Sequence, residues 1–163
     1  VLDLNALLNN IIQIISQSLP ATFNIQFHAD LASSVPQIRS DRDALKQIFI
    51  NLIKNAVEAL TGRGNIFVET SYEPVAADMR AKRTDSPDRG HVKIVIRDDG
   101  PGIPPEVKAR LFEPYSSTKG NGHSGLGLSV VYNMIKELGG TITANSASNK
   151  GASFTIMLPV HAG

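Results

Sequence analysis

The strongest helical periodicity in the chain lies between Ser40 and Leu60. Its apolar residues recur three and four positions apart, which predicts an amphipathic helix with a wide apolar face. Ser40 and Asp43 resemble a capping box at its start, and Gly62 and Gly64 predict its end. A face this wide favours a layered fold in which helices cover a sheet. The apolar positions are Leu45, Ile48, Phe49, Leu52, Ile53, Ala56, Val57 and Leu60.

The other periodic segments predict a single α/β domain. Further helices are predicted at Asp3–Leu19, with Asp3 as N-cap, near Pro105–Leu111 and at Gly125–Leu138. Alternating residues predict strands at Asn24–Ala29, Asn65–Tyr72, His91–Arg97, Thr141–Ala147 and Ala152–Leu158. Glu73–Gly90 predicts a long exposed connection, either a plain hairpin insertion or a loop that contacts a partner. The expected architecture is a two-layer sandwich, a mixed sheet of about five strands covered on one face by about three helices.

Length and composition exclude several classes of protein. With 163 residues, 42% of them hydrophobic, the chain is long enough for one domain and is not disordered as a whole. A net charge of +1 without a long basic run argues against nucleic acid or an anionic membrane as a partner. The absence of Cys excludes disulfides, thiolate zinc sites and a cysteine nucleophile. The apolar stretches are shorter than the ~20 residues of a membrane span, and Val1 in place of Met predicts a piece of a longer protein.

Asn51 and Asn55 are the first candidate functional residues. They lie four residues apart on one face of the predicted helix, and Glu58 continues the same stripe. Asn is a mediocre helix former, so two of them on an apolar helix need a reason. One explanation is a solvated polar face. The other is a pair of amide oxygens directed at a hard cation, such as Mg²⁺, and at phosphates.

Two glycine-rich segments are the other candidates. Asp98–Ile103 follows a predicted strand, and its glycines allow the backbone to approach a ligand closely. A carboxylate at the strand end can accept a hydrogen bond from a purine amino group, although an ordinary tight turn explains the same residues. Lys119–Leu128 runs into a predicted helix, whose backbone N–H groups and dipole favour phosphate. This segment matches neither the Walker pattern nor a dinucleotide fingerprint.

The order and spacing of these segments resemble the ATP-binding catalytic domain of bacterial sensor histidine kinases. That family shares a superfamily with DNA gyrase, the mismatch-repair ATPases and a heat-shock chaperone. The STK and GLGLSVV sequences are most similar to the nitrogen-regulation type, and the resemblance covers nearly the whole chain. It implies a mostly antiparallel sheet layered against three helices, the Bergerat fold. The matching segments are Gln47–Leu60 (N box), Asp98–Ile103 (G1 box), Leu111–Lys119 (F box), Ser124–Leu128 (G2 box), and Gly139–Gly140 with Gly151–Phe154 at the close.

The resemblance also implies a role for each matching residue. Asn55 is expected to bind Mg²⁺, Asn51 to face the phosphates of ATP, and Asp98 to accept a hydrogen bond from the adenine amino group. Phe112 is expected to anchor an ATP lid over residues 113–124, in which Lys119 reaches the terminal phosphates. Asn51, Asn55 and Lys119 are therefore the expected catalytic residues. The other expected nucleotide contacts are Lys54, Gly100, Gly102, Ile103, Tyr115, Ser124, Gly125, Leu126, Gly127 and Leu128.

The residue type at Asn51 indicates whether ATP is hydrolysed or its phosphoryl group is transferred. Relatives that hydrolyse ATP usually hold a Glu at this position, and an amide cannot act as a general base. We therefore predict slow hydrolysis and transfer of the phosphoryl group to a histidine. Glu58 stands where many relatives have Lys or Arg. None of the histidines matches the family's acceptor motif, a helical His-Glu/Asp followed by Pro; they are His28, His91, His123 and His161.

The resemblance implies three partners: ATP with Mg²⁺, a dimerisation domain that bears the acceptor histidine, and the receiver domain of a response regulator. No nucleic acid or membrane contact is expected, and the expected location is the cytoplasm, even for a membrane-anchored parent protein. One alternative is an ATPase that uses hydrolysis to drive conformational change, against which Asn51 argues. The other is a nucleotide-binding or interaction module without catalysis, against which Asn55, Asp98 and Gly125–Gly127 argue.

Overall fold

The computed structural model of the chain describes residues 1–76, 88–113, 126–146 and 150–161. Within these ranges the helices are α1 (Leu4–Ser18), α2 (Arg42–Leu60), α3 (Pro105–Lys108) and α4 (Leu126–Glu137). The strands are β1 (Asn24–Leu31), β2 (Arg63–Pro74), β3 (Asp88–Asp98), β4 (Thr141–Ser146) and β5 (Ala152–His161). No helix in the described part of the chain is both long and apolar enough to cross a membrane.

The strands form one mixed sheet in the order β1-β2-β3-β5-β4. β1 pairs with β2 in parallel, and every other neighbouring pair is antiparallel. The predicted mixed sheet of about five strands is confirmed, and the strand predicted at His91–Arg97 lies at its centre. The carboxyl end of β3 therefore lies between β2 and β5, and residues there can contact both neighbours.

Burial alternates along the strands, so the sheet has one buried face and one open face. In β3, for example, Val92, Ile94 and Ile96 are buried, whereas the residues between them are partly exposed. Three helices, α1, α2 and α4, complete the other layer, and α2 contacts both of its neighbours as well as β2 and β3. This central position explains the wide apolar face of α2, on which Phe49 and Leu52 are fully buried.

The helix ends follow capping rules, with one correction. Asp3 caps α1 as predicted, and its Oδ1 accepts a hydrogen bond from the Ala6 N–H at 2.9 Å. The predicted cap Ser40 is wrong, because Asp41 is the N-cap of α2 and its Oδ1 accepts from the N–H of Asp43 at 2.9 Å. A carboxylate at this position satisfies a free N–H and also faces the positive end of the helix dipole, which favours Asp over the preceding Ser.

The predicted connection Glu73–Gly90 is shorter in the structure, because β2 and β3 continue into it from both sides. Glu73 pairs with His91, and the pairing extends one residue further on each strand. The Tyr72 hydroxyl donates a hydrogen bond to the Arg89 carbonyl oxygen at 2.6 Å. This cross-strand contact between non-local residues has no counterpart in the sequence periodicity, which explains the difference. Residues 77–87 lie outside the described part of the chain.

Candidate functional site

Asp98 is the last residue of β3 and is buried, with only 4% of its surface exposed. Its Oδ1 accepts hydrogen bonds from the backbone N–H of Gly100 at 2.9 Å and of Ala152 at 3.4 Å. The first bond lies within the segment Asp98–Ile103, which we call the Asp98 turn, and the second ties this turn to the start of β5. A buried carboxylate requires such donors. The side chain is therefore held in one orientation at the end of the central strand.

Glycines make the close packing around Asp98 possible. A Cβ at Gly100 would lie 2.9 Å from Asp98 Oδ1 and 3.4 Å from the carbonyl oxygen of Ala59 in α2. Gly151 has φ +79°, and a Cβ there would overlap the backbone carbonyl of Asp98. Gly102 also has a positive φ, +82°. The sequence assigned Gly100 and Gly102 to the site but named Gly151 only as part of the matching segment Gly151–Phe154. Its contact with Asp98 was not predicted, because only the pairing of β3 with β5 brings it there.

Ser146 of β4 fixes the far end of the Asp98 turn. The backbone N–H of Ile103 donates to Ser146 Oγ at 2.6 Å, and this hydroxyl donates to the Gly151 carbonyl oxygen at 3.1 Å. One side chain thus holds the predicted nucleotide contact Ile103 next to the glycine that packs on Asp98. Nothing in the sequence around Ser146 indicates this role, because the contact joins segments that are distant along the chain.

Asp99 links the same turn to β2. Its Oδ1 accepts a hydrogen bond from the Asn65 backbone N–H at 2.7 Å, and its Oδ2 accepts from Asn65 Nδ2 at 2.8 Å. The backbone bond and then the side-chain bond hold the pKa of Asp99 below its ordinary value, because both stabilise the charged carboxylate. The sequence reasoning did not identify Asn65.

Asn51, Asn55 and Ala59 lie four residues apart and form one stripe along α2. Both Asn side chains are half-buried, and neither is hydrogen-bonded to another residue in the described ranges. The stripe reaches the Asp98 turn at Ala59, whose carbonyl oxygen faces Gly100. The structure therefore connects two of the segments that the sequence singled out, the polar stripe and the Asp98 turn.

The donor set of this stripe suits Mg²⁺ that is bound together with a phosphate ligand. Mg²⁺ takes oxygen ligands, few of them from the protein and the rest from phosphate and water. Asn51 and Asn55 offer neutral amide oxygens. Among the described residues no group of three His, Cys, Asp or Glu side chains could hold a metal on its own. Lys54 and Glu58, the adjacent polar residues of α2, are exposed.

Phe112 lies directly before the predicted lid and is half-buried. Its ring stacks on Tyr132 of α4 with centroids 5.3 Å apart, and meets the ring of Phe154 of β5 edge-on at 6.5 Å. The chain that enters the predicted lid is thus packed against the helix that follows the lid. These ring contacts hold Phe112 in place, and its expected role as the anchor of the lid stays a prediction.

The glycine-rich segment is described only from the start of α4 at Leu126. No described atom lies within 4 Å of the point where a Cβ on Gly127 would stand, and Leu128 packs against the hydrophobic core. Four predicted nucleotide contacts of this region lie outside the described residues, namely Tyr115, Lys119, Ser124 and Gly125. The predicted lid also lies outside them, apart from its first residue, Glu113.

Comparison with known proteins identifies the family of this fold and site. The family of histidine kinase-, DNA gyrase B-, and HSP90-like ATPases matches residues 40–162. The chain therefore belongs to this family. The matched region contains α2 with its polar stripe, the Asp98 turn and the start of α4.

Curated relatives include sensor kinases. The chain is 37% identical over 159 residues to the sensor histidine kinase ZraS of Escherichia coli O157:H7, a match that covers 98% of this chain and 31% of the relative. It is 34% identical over 164 residues to the sensory histidine kinase/phosphatase NtrB of Rhizobium meliloti, covering 99% of this chain and 42% of that protein. The chain thus spans less than half the length of these relatives.

Solved structures of histidine kinases share the fold. Full-length ShkA in complex with AMPPNP has a TM-score of 0.78 at 28% identity, over 99% of this chain and 31% of that one. The catalytic domain of ThkA has a TM-score of 0.77 at 28% identity, over 98% and 93% of the two chains. ThkA in complex with the response regulator TrrA has a TM-score of 0.73 at 26% identity, over 98% and 41%. The fold is that of histidine kinase catalytic domains.

Proposed function

We propose that this chain is the ATP-binding catalytic domain of a sensor histidine kinase. It binds Mg²⁺-ATP and transfers the γ-phosphate to a histidine on another domain. The observation that carries the proposal is the buried Asp98 carboxylate, which two backbone N–H groups hold next to the polar stripe of α2. Membership of the ATPase family and the sensor kinases among its relatives support the proposal.

Asp98 recognises the adenine base. Adenine presents a 6-amino donor, for which a carboxylate is the complementary acceptor. Gly100 and Gly102 allow the base to approach the backbone, and Ile103 adds an apolar contact. Because its Oδ1 is already held by the N–H groups of Gly100 and Ala152, the carboxylate needs no rearrangement on binding. The site therefore favours adenine over hypoxanthine, which has a 6-oxo acceptor in place of the amino group.

The α2 stripe and the start of α4 hold the triphosphate. Asn55 binds Mg²⁺, Asn51 faces the phosphates, and Lys54 is a further contact. When bound, Mg²⁺ neutralises negative charge on the phosphates. The positive end of α4 offers backbone N–H groups to the same phosphates. Phe112 anchors the lid that carries Tyr115 and Lys119, and the contacts at the start of α4 are Ser124, Gly125, Leu126, Gly127 and Leu128.

The phosphoryl group passes to a histidine and not to water. The amide of Asn51 cannot take a proton from an attacking water molecule, so this position does not support hydrolysis. Within the described ranges His28, His91 and His161 lie on strands. The acceptor is therefore a histidine of the dimerisation domain of the same protein, and a response regulator receives the phosphate next. The solved complex of ThkA with the response regulator TrrA supports such a partner. We place the domain in the cytoplasm, where ATP is available.

The proposal is tested by titration calorimetry of this chain with a non-hydrolysable ATP analogue and with its hypoxanthine counterpart. We expect binding that weakens without Mg²⁺ and a preference for the adenine nucleotide. Asp98→Asn keeps an oxygen for Gly100 and Ala152 but places an NH2 donor where the second carboxylate oxygen was. It should raise the Kd of the ATP analogue by at least about tenfold and remove the preference for adenine.

Asp30→Asn is the matched control, because it changes an exposed carboxylate of β1 in the same way and should leave both affinities unchanged. The proposal fails if the folded wild-type chain does not bind the ATP analogue. It also fails if Asp98→Asn binds both nucleotides as the wild type does.

A further inference from the structure

Asn65 and Asp99 are joined by three hydrogen bonds, and we call this pair the clamp. The Asp99 carboxylate accepts from the Asn65 backbone N–H at 2.7 Å and from its side-chain Nδ2 at 2.8 Å. In return, the backbone N–H of Asp99 donates to the Asn65 carbonyl oxygen at 3.2 Å. Two of these bonds involve an ionised acceptor, which makes them stronger than neutral ones. The clamp is therefore a firm connection between β2 and the Asp98 turn.

The clamp lies immediately beside the residue that recognises adenine in the proposed function. The ladder between β2 and β3 ends with the pair Ile66 and Asp98. Beyond this pair the chain turns, and the clamp continues the connection with one backbone bond and two bonds to the Asp99 carboxylate. The direction of the backbone directly after Asp98 is thus fixed from β2, while Ala152 fixes the Asp98 side chain from β5.

A glycine next to the Asp99 carboxylate leaves the space that the clamp occupies. Gly64 has φ +144°, and a Cβ there would lie 2.7 Å from Asp99 Oδ1 and 2.6 Å from Leu60 Cδ2. Any larger residue would push the carboxylate away from Asn65 or displace the last residue of α2. Gly64 therefore lets the clamp lie against the end of the helix that carries Asn51 and Asn55.

His28 of β1 orients the side chain of Asn65. His28 Nε2 lies 2.9 Å from Asn65 Oδ1, and the imidazole stacks on Phe67 with centroids 4.8 Å apart. Because an ionised carboxylate only accepts hydrogen bonds, Asn65 must direct its NH2 group to Asp99 and its oxygen to His28. The stacked ring thus keeps the amide in the orientation that the clamp requires.

We propose that Asn65 and Asp99 are positioning residues that hold the Asp98 turn so that the Asp98 carboxylate meets the adenine amino group. The inference rests on the proposed function, because it takes Asp98 as the adenine-recognising residue. The clamp acts through Asp98, so its loss weakens selection of the base as well as overall affinity. A purely structural role would lower stability and leave the preference for adenine unchanged.

The test measures the Kd of the non-hydrolysable ATP analogue and of its hypoxanthine counterpart, by calorimetry on wild type, Asn65→Ala and Asp99→Ala. Each variant should weaken ATP-analogue binding by about fivefold to tenfold and reduce the preference for adenine by a similar factor. Asp99→Asn keeps an acceptor for the Asn65 backbone N–H and should recover part of the loss. Asn65→Ala keeps the backbone bonds, so it remains informative if Asp99→Ala does not fold.

Glu69→Ala is the control, because it removes a carboxylate of β2 outside the clamp, one that pairs with Arg97 at 3.8 Å on the sheet surface. It should change neither Kd. If the clamp variants lose thermal stability but keep the wild-type affinity and adenine preference, the inference is overturned and the proposed function stands. If wild type itself shows no preference for adenine, the role of Asp98 fails, and the inference fails with it.

Discussion

The two ends of the β2–β3 pair are held in different ways. At the end near α2, the Asp99 carboxylate accepts two short hydrogen bonds, of 2.7 and 2.8 Å, from Asn65. At the opposite end, Lys93 Nζ lies 3.9 Å from Glu73 Oε1, in a pair whose side chains are 40% and 54% exposed. Exposed ion pairs contribute little, because water and salt screen them. Hydrogen bonds to a charged carboxylate are therefore found at the Asp98 end, whereas the opposite end is held by the neutral bond from the Tyr72 hydroxyl to the Arg89 carbonyl oxygen.

Crowded glycines do not distinguish the two ends. Gly151 packs on the Asp98 backbone, and at the other end Gly90, with φ +124°, is so close that a Cβ would overlap the Glu73 carbonyl oxygen. Tight backbone packing is thus a general feature of this strand pair. Only the Asp98 end combines it with a buried carboxylate that is held by backbone donors, and this combination marks a preorganised binding site.

The largest expected effect comes from adding a methyl group to either glycine. Gly151→Ala and Gly90→Ala should each lower the free energy of unfolding by about 2–3 kcal/mol, because both combine a positive φ with steric overlap. Only Gly151→Ala displaces Asp98. In the folded state it should therefore raise the Kd of an ATP analogue by about tenfold or more, whereas Gly90→Ala keeps the wild-type value.

Urea unfolding gives the stability of both variants, and calorimetry at a temperature where each is folded gives the affinity. Equal losses of affinity in both variants would show that global stability, and not the position of Asp98, controls nucleotide binding. If Gly151→Ala binds the ATP analogue with wild-type affinity, the close packing of Gly151 on Asp98 is not needed for nucleotide binding.

Local sequence patterns predicted the elements of the fold but not the contacts that join them. The period of α2 and the alternation in β3 are properties of neighbouring residues, and both elements were predicted within a few residues. The end of β2 was missed, because its last residues pair through contacts with β3 across a long connection. The Ser40 cap was wrong by one residue, since two adjacent polar residues can both start a helix.

The same limit applies to the candidate site. Asp98, Gly100 and the Asn stripe were predicted from motif order, and the structure brings the turn and the stripe together through Ala59. The contacts of Asn65, Ser146 and Gly151 with the Asp98 turn were not predicted, although Gly151 belonged to a matching segment, because each reaches the turn from a distant part of the chain. Such supporting residues depend on strand order and register, which a single sequence does not specify.

A smaller effect is expected when the polar contacts of the two ends are removed one at a time and the losses in unfolding free energy are compared. Asp99→Ala removes the acceptor of two hydrogen bonds and should lower the free energy of unfolding by about 1 kcal/mol, a value discounted for the exposure of the carboxylate. Glu73→Ala removes only the exposed pair with Lys93 and should cost less than about 0.5 kcal/mol. Urea unfolding of both variants in the same buffer checks the order, and a larger loss for Glu73→Ala would reverse the comparison between the ends.

The smallest expected effect is a pH dependence of the unfolding free energy that arises from Asp99. Hydrogen bonds from the Asn65 backbone N–H and then its side-chain amide hold the pKa of Asp99 below its ordinary value, so the unfolded chain binds this proton more tightly. The resulting stabilisation is complete above about pH 4, the ordinary range of Asp, and is lost as the pH falls through the lower pKa of the folded state. The difference in unfolding free energy between wild type and Asp99→Asn should therefore be constant at neutral pH and shrink below about pH 4.

The control is Glu73→Gln, which removes one negative charge at the other end and reports the general effect of net charge on stability. A difference that persists unchanged in acid would mean that the charge on Asp99 does not hold this end.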